Sequence, residues 1–147
     1  MPKILVIYES LTGNTEKLAQ AIAAGAKVPG MVVELKKAKT VKPEEVAKAD
    51  AYAWGSPSHF SLMSGEILTL FTNLYPHRDK LSGKPACVFT TGTGSQVTAL
   101  ENIEKLIGVF NPRFVMPGIA VGSSPSKADK EQAQKLGKKL AEAVAKK

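Results

Sequence analysis

Four hydroxyl or amide side chains and one glycine crowd into Ser10-Leu11-Thr12-Gly13-Asn14-Thr15, directly after the apolar run Ile4-Leu5-Val6-Ile7-Tyr8. A buried strand, a tight turn and a helix N-terminus in succession make an anion site. The first N–H groups of a helix lack intrahelical partners, and the helix dipole favours negative charge beside them. Ser10, Thr12, Asn14 and Thr15 add side-chain donors, while Gly13 lets a ligand approach the backbone closely. The loop holds no Lys or Arg, so it would grip a phosphate by dipoles alone; a Walker A loop, by contrast, ends in Gly-Lys-Ser/Thr. The same residue types are also preferred helix caps with no ligand present. Both readings stand on this loop alone.

Other chemistry-bearing residues are sparse. His59 and His77 are the only histidines, and with no third ligand at a familiar spacing they suggest no metal site. The single cysteine, Cys87, lies in an apolar run and reads as a small buried hydrophobe. Trp54, also within an apolar run, reads as core. Gly92-Thr93-Gly94 begins like a dinucleotide fingerprint, but Val97 stands where the third glycine is needed. No Gly-x-Ser-x-Gly nucleophile elbow occurs, which leaves a hydrolase little support. No side-chain nucleophile or general acid is expected.

These residues need a scaffold, and the apolar periodicity supplies one. After the first strand, Leu18 and Ile22 recur at helical spacing. Val28-Pro29-Gly30 breaks that helix, and Met31 to Leu35 reads as a second strand. A short helix opens at Pro43-Glu44-Glu45, with proline in its first turn and acids near its N-terminus. Asp50 to Gly55 is a third strand, followed by a helix with Ile67, Phe71 and Leu74 on one face. Pro85 to Thr90 is a fourth strand, followed by a helix carrying Leu100, Ile103, Ile107 and Phe110. Val115 and Ile119 to Val121 supply a fifth strand broken by Pro117-Gly118, and the last helix carries Leu136, Leu140 and Val144. Alternating strands and helices predict an α/β fold with a parallel sheet, and right-handed crossovers put helices on both faces. Five strands suit the doubly wound order 2-1-3-4-5, which binds ligands beyond the strand carboxyl ends at its switch point.

In that order strands one, three and four are neighbours, so three loops would line one crevice. The first is the hydroxyl-rich loop. The second, Ser56-Pro57-Ser58-His59-Phe60, offers a flat aromatic, an imidazole and small polar groups. The third, Thr91-Gly92-Thr93-Gly94-Ser95, offers glycine-rich backbone that can lie against a planar ring edge. A phosphate at one end and a flat heteroaromatic at the other describe flavin mononucleotide (FMN).

The same residues carry a family resemblance. Ser10 to Thr15 resembles the flavodoxin phosphate loop. Gly55-Ser56-Pro57-Ser58-His59-Phe60, with Met63-Ser64-Gly65 behind it, is similar to the flavin loop of the flavodoxin-like NAD(P)H:quinone oxidoreductases. Phe89 to Gln96 resembles the third loop of that group. The likeness runs from Lys3 to about Val121 and implies a flavodoxin-like fold over residues 1–147 as a single domain. It further implies that Ser10, Leu11, Thr12, Gly13, Asn14 and Thr15 hold the phosphate. Pro57, Ser58, His59 and Phe60 would meet the ribityl chain and the isoalloxazine, and Thr91, Gly92, Thr93, Gly94 and Ser95 the pyrimidine edge. The chain departs from each branch. It is shorter than the quinone oxidoreductases and lacks the histidine that they carry after the fifth strand. Unlike the short flavodoxins, which are usually acidic, it is basic, and its third loop lacks the aromatic that they often stack on the flavin.

The formal net charge is +7, with lysine supplying 18 of the 20 basic residues. Nucleic-acid readers cluster arginine and aromatics on one face, whereas these lysines spread over Lys36 to Lys48 and the last helix. Solvated surface, or docking to acidic redox partner proteins, is the expectation, and no nucleic acid. No apolar run is long enough to span a bilayer and none reads as a signal segment, so no membrane and a cytoplasmic location are expected. The leading reading is an FMN-binding flavodoxin-type carrier of electrons between partner proteins. An FMN-dependent NAD(P)H:quinone oxidoreductase is the alternative reading, and a flavodoxin-fold binding module without flavin the third.

Overall fold

The structure is a computed structural model and describes residues 1–146. Strand β1 (Lys3–Tyr8) is flanked in parallel by β2 (Val32–Lys37) and β3 (Ala51–Pro57), and β4 (Pro85–Gly92) lies beyond β3. Two short strands, β5 (Arg113–Phe114) and β6 (Ile119–Gly122), both pair in parallel with the outer side of β4. The path is β2-β1-β3-β4-β5, with β6 continuing the same edge. The doubly wound order expected from the sequence is therefore the observed one. The break at Pro117-Gly118 has a physical cause: proline donates no ladder hydrogen bond. At Gly118 a side chain would press on the Val88 carbonyl and on Leu100.

Buried on both faces, the central strands read as continuous apolar runs rather than alternating ones. On one face, helices α1 (Asn14–Ala26) and α6 (Lys127–Ala145) cover Ile4, Val6, Cys87 and Phe89. Their backbones come very close: a Cβ on Gly25 would fall onto the Gln134 carbonyl oxygen, and one on Gly137 onto that of Ile22. The other face is covered by α2 (Pro43–Lys48), α3 (Gly65–Leu74), α4 (Arg78–Leu81) and α5 (Gln96–Ile107). There Trp54 is buried, with ring centroids 5.0 Å from Phe71 and 5.4 Å from Tyr52. Cys87 is buried, and loss of solvent pushes its thiol pKa up; it is a core residue, as the sequence suggested. Gly55, beside Phe89 in the β3–β4 register, leaves room for the Phe89 ring, which a Cβ would penetrate.

Candidate functional site at the carboxyl ends of β1, β3 and β4

The first loop runs from the end of β1 into α1. Gly13 sits at the helix N-cap with φ +93°, a conformation that glycine adopts without a Cβ penalty. Being glycine it has no capping side chain, and Ser10 takes over that role from three residues back. Its Oγ accepts from the N–H groups of Gly13 (3.1 Å) and Glu16 (3.3 Å). The N–H groups of Leu11, Thr12, Asn14 and Thr15 have no acceptor among the described residues. Thr12, Asn14 and Thr15 do not cap the helix; they leave a ring of donors at its positive end.

The second loop leaves β3 at Pro57, which is short of donors because proline has no N–H. Ser58 ties it to the third loop three times. Its N–H donates to the Thr91 carbonyl at 2.8 Å, and its Oγ lies 3.2 Å from the Ser95 carbonyl and 2.6 Å from Ser95 Oγ. The first and third loops are joined by a buried hydroxyl pair, Thr15 Oγ1 and Thr91 Oγ1, 2.7 Å apart. Topology alone made these strand ends neighbours; the hydrogen bonds fix their spacing.

Between the loops lies a cleft of about 180 Å³ lined by Leu11, Thr12, Asn14, Pro57, Ser58, His59, Thr91, Gly92 and Thr93. It opens to solvent where Leu11, Thr12 and Thr93 are exposed. Nine of the fifteen residues expected at a site line it directly. Ser10, Gly13 and Thr15 shape the first loop from behind. Gly94 and Ser95 belong to the rim of the third, where the Gly94 N–H donates to Gln96 Oε1 at 2.8 Å and those of Thr93 and Ser95 meet no acceptor among the described residues. Phe60 is 97% exposed, its ring standing clear of the protein at the tip of a turn. Larger cavities of about 390 and 510 Å³ lie between α3 and α5 and between α1 and α6. Neither lies at the carboxyl ends of the strands, where doubly wound sheets bind ligands.

Several supporting residues were not legible as such. Tyr8 donates its hydroxyl to Glu16 Oε2 at 2.6 Å, bracing β1 against the first turn of α1. Burial, with the Glu16 hydrogen bond and charge adding to it, pushes the Tyr8 pKa up to about 12. Thr90 Oγ1 donates to the Gln96 carbonyl at 2.7 Å, and the Ser123 N–H to the Gly92 carbonyl at 2.8 Å. The first two contacts each close one strand–loop–helix unit, and only the Ser123–Gly92 bond joins segments that the topology brings together. No group of three or more His, Cys, Asp or Glu suited to a metal ion occurs among the described residues.

The sequence pattern of the flavodoxin family matches residues 6–137, most of the chain. The chain belongs to the flavodoxin family. Among its relatives, a flavodoxin of Aquifex aeolicus is 32% identical over 163 aligned positions, covering 99% of this chain and 88% of that protein. An NAD(P)H dehydrogenase (quinone) of Archaeoglobus fulgidus is 33% identical, covering 86% of this chain and 79% of the relative. A solved flavodoxin from the domain Archaea superposes with a TM-score of 0.89 at 25% identity, covering 97% of this chain and 99% of that one. Family membership makes the chain a flavodoxin-type electron carrier, with FMN the cofactor that the family implies. Among the described residues no helix is long and apolar enough to cross a membrane.

Proposed function

We propose that the cleft binds FMN and that the chain carries electrons between partner proteins. The donor set fits the group. A dianionic phosphate needs several donors, and the first loop offers four unpaired N–H groups at a helix N-terminus with no acidic side chain between Ser10 and Thr15. Ser10 Oγ accepts two of the loop's own N–H groups and keeps its hydroxyl proton to donate, so Ser10, Thr12, Asn14 and Thr15 would hold the phosphate. Ser58 and His59 line the wall on which the ribityl chain and ring would rest. Thr93 and Ser95 would offer N–H groups to the ring's polar edge. When bound, FMN supplies a ring that accepts and releases electrons, while the protein sets its potential and its access.

The observation that carries this reading is the set of side-chain and backbone bonds that locks the three loops around one crevice. Purified protein tests it directly. A yellow preparation, or apoprotein that quenches the fluorescence of added FMN stoichiometrically, supports the reading; a colourless chain that takes up no FMN overturns it.

The lysine surplus favours acidic redox partners, because charges of opposite sign steer encounter. Electron exchange with such a partner would slow as salt is added. A second reading follows from the relative named as an NAD(P)H dehydrogenase (quinone): direct two-electron reduction of a quinone by NAD(P)H on the same flavin. Anaerobic mixing of NADPH with FMN-loaded protein separates the two. Flavin bleaching within seconds supports the enzyme; an unchanged spectrum leaves the carrier.

A further inference from the structure

Asn102 lies on α5, outside all three loops, yet its Nδ2 donates to the Ser61 carbonyl at 2.8 Å. Ser61 follows Phe60 at the centre of a small hairpin. The His59 N–H donates to the Leu62 carbonyl at 2.8 Å, and the Leu62 N–H to the His59 carbonyl at 2.9 Å. Both central residues have positive φ, +53° at Phe60 and +66° at Ser61. A two-residue hairpin with two left-handed centres is a type I′ turn, which ordinarily takes Asn-Gly or Gly-Gly. Phenylalanine is uncommon there, because its Cβ crowds the neighbouring carbonyl.

Such a conformation persists only where its surroundings over-determine it. Burial does not hold this one, since Phe60 is 97% and Leu62 55% exposed. The two mutual backbone bonds close the turn but tie it to nothing else. The bond from Asn102 is the side-chain tie that fixes the turn to a regular helix. That helix begins with the third loop, so the tie also sets the hairpin against the residues that face it across the cleft.

We propose that Asn102 is a positioning residue that holds the His59–Leu62 hairpin in its strained form and thereby sets how the second loop meets the flavin. The proposal rests on the reading that FMN fills the cleft. An amide is required: alanine leaves the Ser61 carbonyl to water, and aspartate sets an acceptor against an acceptor. Glycine at position 61 removes part of the strain at its source, because it takes positive φ freely.

The test compares Asn102→Ala, Asn102→Asp and the double variant Asn102→Ala/Ser61→Gly with wild type. Amide exchange at Leu62 is followed in FMN-free protein; FMN affinity and flavin reduction potential are followed in loaded protein. Both single variants should speed Leu62 exchange and weaken FMN binding by about tenfold each, with a displaced potential and an unaltered global unfolding midpoint. The added Ser61→Gly should recover most of both losses. Unchanged exchange, or faster exchange with affinity and potential unmoved, overturns the proposal, as does a double variant no better than Asn102→Ala. A wild-type chain that takes up no FMN overturns the functional reading instead, while the exchange measurement still decides whether Asn102 holds the hairpin.

Discussion

Thr15 Oγ1 and Thr91 Oγ1 lie 2.7 Å apart in a buried contact that joins residues 76 positions apart in the chain. One hydroxyl belongs to the first turn of α1 and the other to the end of β4, so the pair sets the width of the cleft between the first and third loops. Replacing one member by valine strands the other hydroxyl in the interior, at a cost of about 1–3 kcal/mol. Replacing both removes the stranded group along with the bond. Urea unfolding of Thr15→Val, Thr91→Val and the double variant should therefore give a double variant less damaged than the sum of the singles, by about 1 kcal/mol.

Ser10 fixes the head of α1 and, in the proposed FMN site, the shape of the phosphate loop by one device. Its Oγ occupies two N–H groups at the head of α1 and leaves their neighbours free. Ser10→Ala should lower apoprotein stability by about 1 kcal/mol, the usual worth of a cap. It should weaken FMN further, because the loop then loses its fixed shape. Denaturant titration of the apoprotein and a fluorescence titration with FMN separate the two effects.

The tyrosine at the end of β1 gives the fold an alkaline limit. Its pKa is raised from the ordinary 10.0 to about 12 by burial and by Glu16. Between those values the native chain keeps a proton that the unfolded chain has released, so this contribution to stability is whole below pH 10 and disappears as pH climbs through about 12. Tyr52, buried and likewise raised, adds to the same trend. Tyr8→Phe should flatten part of the alkaline decline measured by urea unfolding at successive pH values, and leave the Tyr52 share in place.

Two glycines should respond to alanine for different reasons. At Gly55 the new methyl would collide with the buried Phe89 ring, and overpacking of that kind costs about 1–3 kcal/mol. At Gly13 nothing lies within 4 Å of the added carbon, and the penalty comes only from φ +93°, about 1 kcal/mol. Thermal unfolding should rank Gly55→Ala as the more damaging. FMN titration should nevertheless show Gly13→Ala losing affinity out of proportion to its loss of stability, since it reshapes the donor ring.

Most strands and the longer helices were legible because each buried strand is an apolar run and α1, α3, α5 and α6 carry apolar residues at spacings of three and four. Short α4 and β5 have too few apolar residues to show a period. Even the interruption at Pro117-Gly118 marked where the edge of β4 passes from one short partner to the next. The loops that meet at the cleft were legible by their place after strands, and their composition raised the expectation of a site there. What joins them was not. Nothing near Thr15 announces Thr91, and nothing near Ser61 announces Asn102, because the fold alone brings such partners together. The hairpin at Phe60-Ser61 was hidden for a different reason: its residues are poor formers of the turn they adopt, so local propensity points away from it. Capping misled in a subtler way, since the cap came from Ser10 and not from the residues nearest the helix.

The near-contact of α1 with α6 at Gly25 and Gly137 has a bearing on synthesis. The helix whose head presents the donor ring is made early, yet the surface against which its back must rest comes from residues 127–145. A nascent chain on the ribosome thus carries the anion loop long before that loop has a firm footing. The donor ring gains its footing only once α6 has docked on the back of α1.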